Sequence, residues 1–139
     1  MDLNPYLNFD GDCAEAFAFY AKVLEGEITL QQTFGESPMA EQFPDIADKM
    51  MHISLRIGDH VIMGSDTGPS PYQKPAGISV TLGFEDFDRC QQVFEALAEG
   101  GDVAMPFAAT FWSPGFGLVT DRFGIPWMVD CTAEVAEEG

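Results

Sequence analysis

The residues of this 139-residue chain whose chemistry matters first are two histidines, three cysteines and a cluster of late aromatics. His60 falls beside Gly58-Asp59, a turn sequence, where a solvated side chain is expected. His52 stands between Met51 and Ile53, the setting of a hydrogen-bonded, half-buried imidazole. Of the two, it is the candidate general acid or base. Cys13 and Cys90 fall on predicted helices, and Cys90 lies within an apolar stripe, so structural thiols are expected. No Gly-x-Ser-x-Gly elbow and no phosphate-binding loop occurs. Phe107, Phe111, Trp112, Phe116, Phe123 and Trp127 crowd one stretch, which suits a core, a subunit seam or a ligand pocket. Phe111-Trp112 precedes Ser113-Pro114-Gly115, a chain reversal, so Trp112 belongs at a strand end. Trp127 sits mid-strand and should pack structurally.

The elements that must position these residues read as two similar series. Leu3–Phe9 alternates as a strand. Asp12, with Glu15 three residues on, reads as a capping box opening a helix. Its predicted stripe is Ala16, Phe19, Tyr20, Val23 and Leu24, and Gly26 should end it. Glu27–Phe34 follows as a strand, and 35–49 is a long connection, either a functional cover or partly disordered. Met50–Ile57 and His60–Ser65 form a hairpin around Gly58-Asp59. The Pro- and Gly-rich stretch after Ser65 separates this series from the next. Gly77–Phe84 is a strand, and Asp86 caps a helix with the stripe Cys90, Val93, Phe94, Leu97 and Ala98. Three strands complete the chain: Asp102–Ala109, Gly117–Asp121 and Ile125–Cys131.

Both halves therefore run strand, helix, three strands, and the two predicted stripes stand 74 residues apart. The expected organisation is a βαβββ module over 1–66, a linker over 67–76, a second module over 77–131 and an acidic tail over 132–139. One such module leaves half of its sheet bare. Two of them, in one chain or across a dimer, make an α+β fold: a curved mixed sheet around a cleft with helices outside.

The totals exclude several function classes. A net charge of −17, from 23 acidic and 6 basic residues, repels nucleic acid. No apolar run reaches the roughly 18 residues of a membrane span, and no signal-peptide pattern opens the chain. Three scattered cysteines suit a reducing compartment, so a cytoplasmic protein is expected.

The duplication, with Pro5-Tyr6-Leu7-Asn8-Phe9, Met51-His52, Met63-Gly64-Ser65-Asp66, Thr110-Phe111-Trp112 and Asp121-Arg122-Phe123-Gly124-Ile125-Pro126-Trp127-Met128, resembles the vicinal oxygen chelate superfamily of glyoxalase and bleomycin-resistance proteins. Within it the chain is most similar to the PhnB-like branch. The resemblance implies paired βαβββ modules and a homodimer, but no defined activity. Some members carry a methyltransferase-type name, for which this sequence holds no methyl-donor or dinucleotide turn.

In metal-dependent relatives, the first and fourth strands of each module supply the ligands. The resemblance places those positions at Pro5, Met63, Ser79 and Met128, which is no metal-binding set. The expectation is thus a metal-free, cofactor-free binder of a small organic molecule in an apolar cleft, with His52, Met63, Ser79, Phe111, Trp112 and Met128 as candidate contacts. The alternative is a superfamily enzyme (lyase, isomerase, dioxygenase or transferase) using a displaced metal site or His52. A third reading fills the cleft with side chains and leaves the surface to act.

Overall fold

Leu7 and Phe9 are buried while Tyr6 and Asn8 are exposed, so the predicted alternation does form a strand, β1, over Tyr6–Phe9. In the computed structural model, which describes residues 1–133, the chain divides into a unit of Met1–Lys74 and a unit beginning at Pro75. The acidic tail, 132–139, lies outside the described residues from position 134 on.

The first unit adds α1 (Cys13–Val23), β2 (Glu27–Thr33), β3 (Met50–Ile57) and β4 (His60–Asp66). Its sheet order is β1-β4-β3-β2, with β1 parallel to β4 and the other pairs antiparallel. The second unit repeats the plan with β5 (Val80–Phe84), α2 (Phe87–Ala98), β6 (Asp102–Ala108), β7 (Phe116–Thr120) and β8 (Pro126–Cys131). Its order, β5-β8-β7-β6, repeats the first, again with one parallel pair, β5 with β8. Each unit is thus a βαβββ module, the α+β arrangement that the sequence predicts.

Each helix covers one face of its own sheet. On α1 the buried side chains are Cys13, Ala16, Phe17 and Tyr20. Phe17, not Phe19, therefore faces the sheet, and Phe19 and Val23 are half-buried. Both choices satisfy helical spacing. What decides is Gly64 of β4: a Cβ there would meet the Phe17 ring at 3.0 Å, so the ring fills the space a side chain would need. Phe17 then packs edge-on against Phe9 and Tyr20. On α2 the buried face is Cys90, Val93, Phe94 and Leu97, as the periodicity predicts, while Ala98, the last residue of the predicted stripe, is half-buried. Here Phe94 lies over Gly117 of β7. Burying each such aromatic contributes about 1.5–3 kcal/mol.

The capping box at Asp12 does not form, since its side chain makes no cap hydrogen bond. Asp66, at the end of β4, does that work instead. Its Oδ1 accepts from Gly11 N at 2.9 Å and Cys13 N at 3.0 Å, and its Oδ2 from Met50 N at 2.9 Å. Asp86 does cap α2, accepting from the backbone N–H of Asp88 and Arg89. α1 ends at Val23; Glu25 takes the left-handed conformation, φ 55°, and Gly26 admits the Arg56 carbonyl, which a Cβ would meet at 2.8 Å. The counterpart pair is Gly100 and Gly101, with Gly101 against the Thr120 carbonyl.

The connection 35–49 is folded rather than loose. It holds two turns of 3-10 helix, Ala40–Gln42 and Pro44–Ile46, and is pinned by Gly35 N donating to Ala47 O. Residues 67–74 pack with the first unit: Thr67 N donates to Phe9 O at 2.9 Å.

Asp66→Ala strands three backbone donors at once. It should destabilise the protein by about 3 kcal/mol or more in denaturant unfolding, since each unsatisfied buried donor costs about 1–3 kcal/mol. A loss no larger than that of an exposed Asp→Ala change would mean that water replaces the carboxylate.

Candidate functional site

Each sheet has a second face, away from its helix. Alternation puts Tyr6 and Asn8 of β1, Met63 and Ser65 of β4, and His52 and Ser54 of β3 on that face of the first sheet. Tyr6 and Ser54 are both register partners of Met63. The Tyr6 side chain spans β4 to reach His52: the phenol oxygen is 3.4 Å from Nδ1, and the rings stand 5.8 Å apart. His52 Nε2 lies 3.2 Å from Ser54 Oγ. The imidazole is thus held at both nitrogens, one contact being at the long limit of a hydrogen bond. Such a chain can pass a proton between a phenol and a hydroxyl through histidine. Sequence reasoning found His52 but missed Tyr6, whose exposure on the β1 alternation was the available signal.

A pocket of about 340 Å³ opens further along the same two strands, two residues beyond Tyr6 and Met63, and none of Tyr6, His52, Ser54 or Met63 lines it. Its lining comprises Asn8, Ser65, Asp66 and residues of the returning segment 67–73. The face is more polar than the expected apolar cleft, because the β1 and β3 positions next to Met63 are hydrogen-bonding residues.

On the second sheet the corresponding face carries Thr81 of β5, Met128 and Asp130 of β8, and Phe116 and Leu118 of β7. Strand registers pair Tyr6 with Met63 and Thr81 with Met128, so the first strands of the two sheets stand 75 residues apart, not 74, and the fourth strands 65. Thr81 is therefore the residue opposite Met128, and its hydroxyl lies 3.6 Å from the Met128 sulfur. Ser79 precedes β5 and is exposed. The predicted positions thus fall one residue short at Pro5 and two short at Ser79, because turns bounded the strands there and pairing does so in the fold.

Phe111 and Trp112 stand on the turn before β7, 91% and 49% exposed. The turn itself is fixed. Ser113 is buried and donates from Oγ to the carbonyls of Gly115 and Cys131, and Thr110 N donates to Ser113 O at 2.9 Å. Trp112 packs edge-on to Phe111 at 4.8 Å and to Phe116 at 5.3 Å. Trp127, by contrast, is fully buried, and its Nε1 donates to Asp121 Oδ2 at 2.7 Å.

Does the donor set suit the divalent ion of metal-dependent superfamily members? At the four equivalent positions stand two thioethers, a phenol and a hydroxyl, and thioethers suit soft ions only. Among the described residues no three His, Cys, Asp or Glu side chains converge. The residues do not fit that metal. The thiols offer no reactive nucleophile either. Arg89 adjoins Cys90 in sequence, yet burial, with Cys131 nearby, pushes the Cys90 thiol from 9.0 up to about 11. Burial raises the Cys13 thiol further.

The family described as 3-demethylubiquinone-9 3-methyltransferase matches residues 1–130. The chain is 37% identical over 141 residues to protein YjdN of Escherichia coli K12, covering 94% of this chain and 95% of that one. The crystal structure of protein PA1353 from Pseudomonas aeruginosa superposes with a TM-score of 0.90 at 41% identity, covering 96% of this chain and 99% of that one. The PhnB protein from Bacillus cereus follows at TM-score 0.77 and 22% identity, covering 94% and 98%. Among the described residues no helix is long and apolar enough to cross a membrane.

Two predictions arise here. Trp127→Ala should cost about 3–5 kcal/mol in thermal or chemical unfolding, the range for a buried large aromatic. Trp112→Ala should cost less in stability but weaken ligand or subunit binding by about 2 kcal/mol. Equal destabilisation with unchanged binding and assembly would make Trp112 a core residue.

The thiols also set a pH dependence. A thiol whose folded pKa is raised holds its proton longer in the folded state, so its stabilising contribution is full below the unfolded value. It is lost as pH climbs from about 9 toward 11. Folding stability should fall over that window, and Cys90→Ser should flatten the fall. Thiol labelling at pH 7 should modify none of the three cysteines until the protein unfolds.

Proposed function

We propose that this chain, which belongs to the PhnB-like family described as 3-demethylubiquinone-9 3-methyltransferase, binds a small organic molecule without a metal on the helix-free faces of its sheets. The observation carrying this reading is the set Tyr6–His52–Ser54 beside Met63 and a neighbouring pocket of about 340 Å³, a volume in the range of ligand sites. Met63 and Met128 keep adaptable, uncharged surface at positions where a metal ligand would bring charge. Phe111 and Trp112 supply exposed aromatic contact area.

The family description names a methyltransferase, but neither sheet here is the doubly wound parallel sheet that carries methyl-donor or dinucleotide turns. The first strand-to-helix turn, Asp10-Gly11-Asp12, holds a single glycine. A second reading has its own support. His52 is contacted at both ring nitrogens, which supports a general acid or base role, and on this reading an enzyme would act through it. We further propose a homodimer, on the family resemblance and the exposed aromatics, and a cytoplasmic location, on three free buried cysteines.

Native mass spectrometry on untagged protein, with metal analysis, tests these points together. The expected result is a dimer, sub-stoichiometric metal and a co-purifying or added small organic molecule retained by the wild type. Stoichiometric zinc, nickel, iron or manganese would overturn the metal-free reading, and a monomer at micromolar concentration the dimer. Turnover that His52→Gln abolishes without unfolding the chain would favour the enzyme.

A further inference from the structure

We propose that the pocket of about 340 Å³ at the end of β1 and β4 holds an uncharged polyhydroxylated molecule, a sugar or cyclic polyol, bound through the side chains of Asn8, Ser65, Ser70 and Gln73. This rests on the small-molecule-binding reading and names the class of ligand.

Two pieces of chain build the pocket. One is the end of the β1–β4 pair, where Asn8 and Ser65 are register partners. Direct cross-strand partners point to the same face, so an amide and a hydroxyl stand side by side there. They form the next row after Tyr6 and Met63 on the helix-free face, about 7 Å further along the strands. The other piece is the returning segment 67–73, which brings Ser70, Pro71 and Gln73 to the pocket. That wall is anchored at several points. Thr67 donates from both its backbone N and its Oγ1 to the Phe9 carbonyl, at 2.9 and 3.3 Å, which ties the segment to β1. Gly68 lies against the Phe34 ring, which a Cβ would meet at 2.8 Å. Pro69 and Pro71 fix two further backbone angles. Little ordering of this wall is left for a ligand to impose.

The lining selects the ligand by what it offers. Asn8 and Gln73 each present an amide, donor and acceptor together, and Ser65 and Ser70 each present a hydroxyl that does both. Among the described residues these four side chains have no hydrogen-bond partner, so their capacity is open to a guest. Vicinal hydroxyls match such a lining, because each of them also donates and accepts. Among the described lining residues there is no lysine, arginine or histidine, and the chain carries −17, so an anion is repelled with nothing to hold it. Asp66 is the one charged residue among them, and its carboxylate already accepts from the N–H groups of Gly11, Cys13 and Met50. The field of the chain draws cations near, but within the pocket no free carboxylate receives one. An apolar ligand would cover four polar side chains without pairing them, at a cost for each. Pro71 gives the C–H face of a sugar ring an apolar surface to rest on.

The test uses the full chain at pH 7 and probes built on one six-membered ring: D-glucose, myo-inositol, D-glucosamine, D-glucuronate and cyclohexanol. Titrations are read by calorimetry and by the side-chain amide NMR signals of Asn8 and Gln73. Glucose or inositol should bind saturably, shift both amide signals and bind about tenfold or more tightly than cyclohexanol, as the loss of two or more hydrogen bonds implies. Asn8→Ala should weaken the polyol by a similar factor, and so should Gln73→Ala as a second variant; both residues are exposed, so the fold tolerates the change. Tighter binding of glucosamine or glucuronate than of both neutral probes would overturn the uncharged class. Cyclohexanol binding as tightly as the polyols, or polyol binding that leaves both amide signals and both variants unchanged, would overturn the hydrogen-bonded pocket. No saturable binding of either polyol would overturn this inference alone, since retention of other molecules in native mass spectrometry judges the small-molecule reading separately.

Discussion

The first unit depends on one carboxylate. Asp66 ends β4 and accepts N–H groups from the turn before α1, from the first residue of α1 and from the first residue of β3. Two stretches of chain distant in sequence, 11–13 and the start of β3, are thereby fixed to the end of β4, without the local cap that Asp12 would have supplied. A buried charge is tolerated only when its lone pairs are met, and here they are met by backbone. The second unit divides the same task. Asp86 caps α2 locally, and Asp121 gathers the β7–β8 turn and the Trp127 indole. The repeat thus conserves an architecture, while the polar groups that close it have moved.

That movement explains what the sequence could and could not reveal. Strand order, both helices and the hairpin at Gly58-Asp59 follow from period and turn chemistry, which are local. The two helix faces match at Cys13/Cys90, Ala16/Val93, Phe17/Phe94 and Tyr20/Leu97, 77 residues apart, while the first strands stand 75 apart and the fourth strands 65. The second helix is therefore shifted along the chain relative to its sheet, and no single offset aligns both. Strand order and turns put the first-strand position at Ser79, two residues before the register partner of Met128, so Thr81 went unread. Choosing Phe19 over Phe17 had the same root: two aromatics satisfied the spacing, and the choice was made by a glycine 47 residues away, Gly64.

The candidate site was legible only in part, for a physical reason. Residues facing a helix must fill fixed space, so their size and periodicity betray them. Residues on the other face answer to weaker packing demands, and polar and apolar types alternate there with little pattern. His52, Met63, Trp112 and Met128 could be named because histidine, tryptophan and a displaced ligand position are conspicuous. Tyr6, Thr81 and Asp130 could not, because a tyrosine, a threonine and an aspartate in a strand carry no signal until the register sets their neighbours.

Register also changes what the methionines mean. Taken singly, Met63 and Met128 are thioethers that offer no anionic or imidazole donor. Taken with their partners, they occupy rows that include Tyr6 and Ser54 in one sheet and Thr81 and Leu118 in the other. A metal ion in such a row would demand several anionic or imidazole donors converging on one point. A thioether demands nothing, so its neighbours are free to hydrogen-bond to one another or to a guest. A methionine position therefore takes its chemistry from whichever polar group stands beside it, and those groups differ between the two halves of this chain.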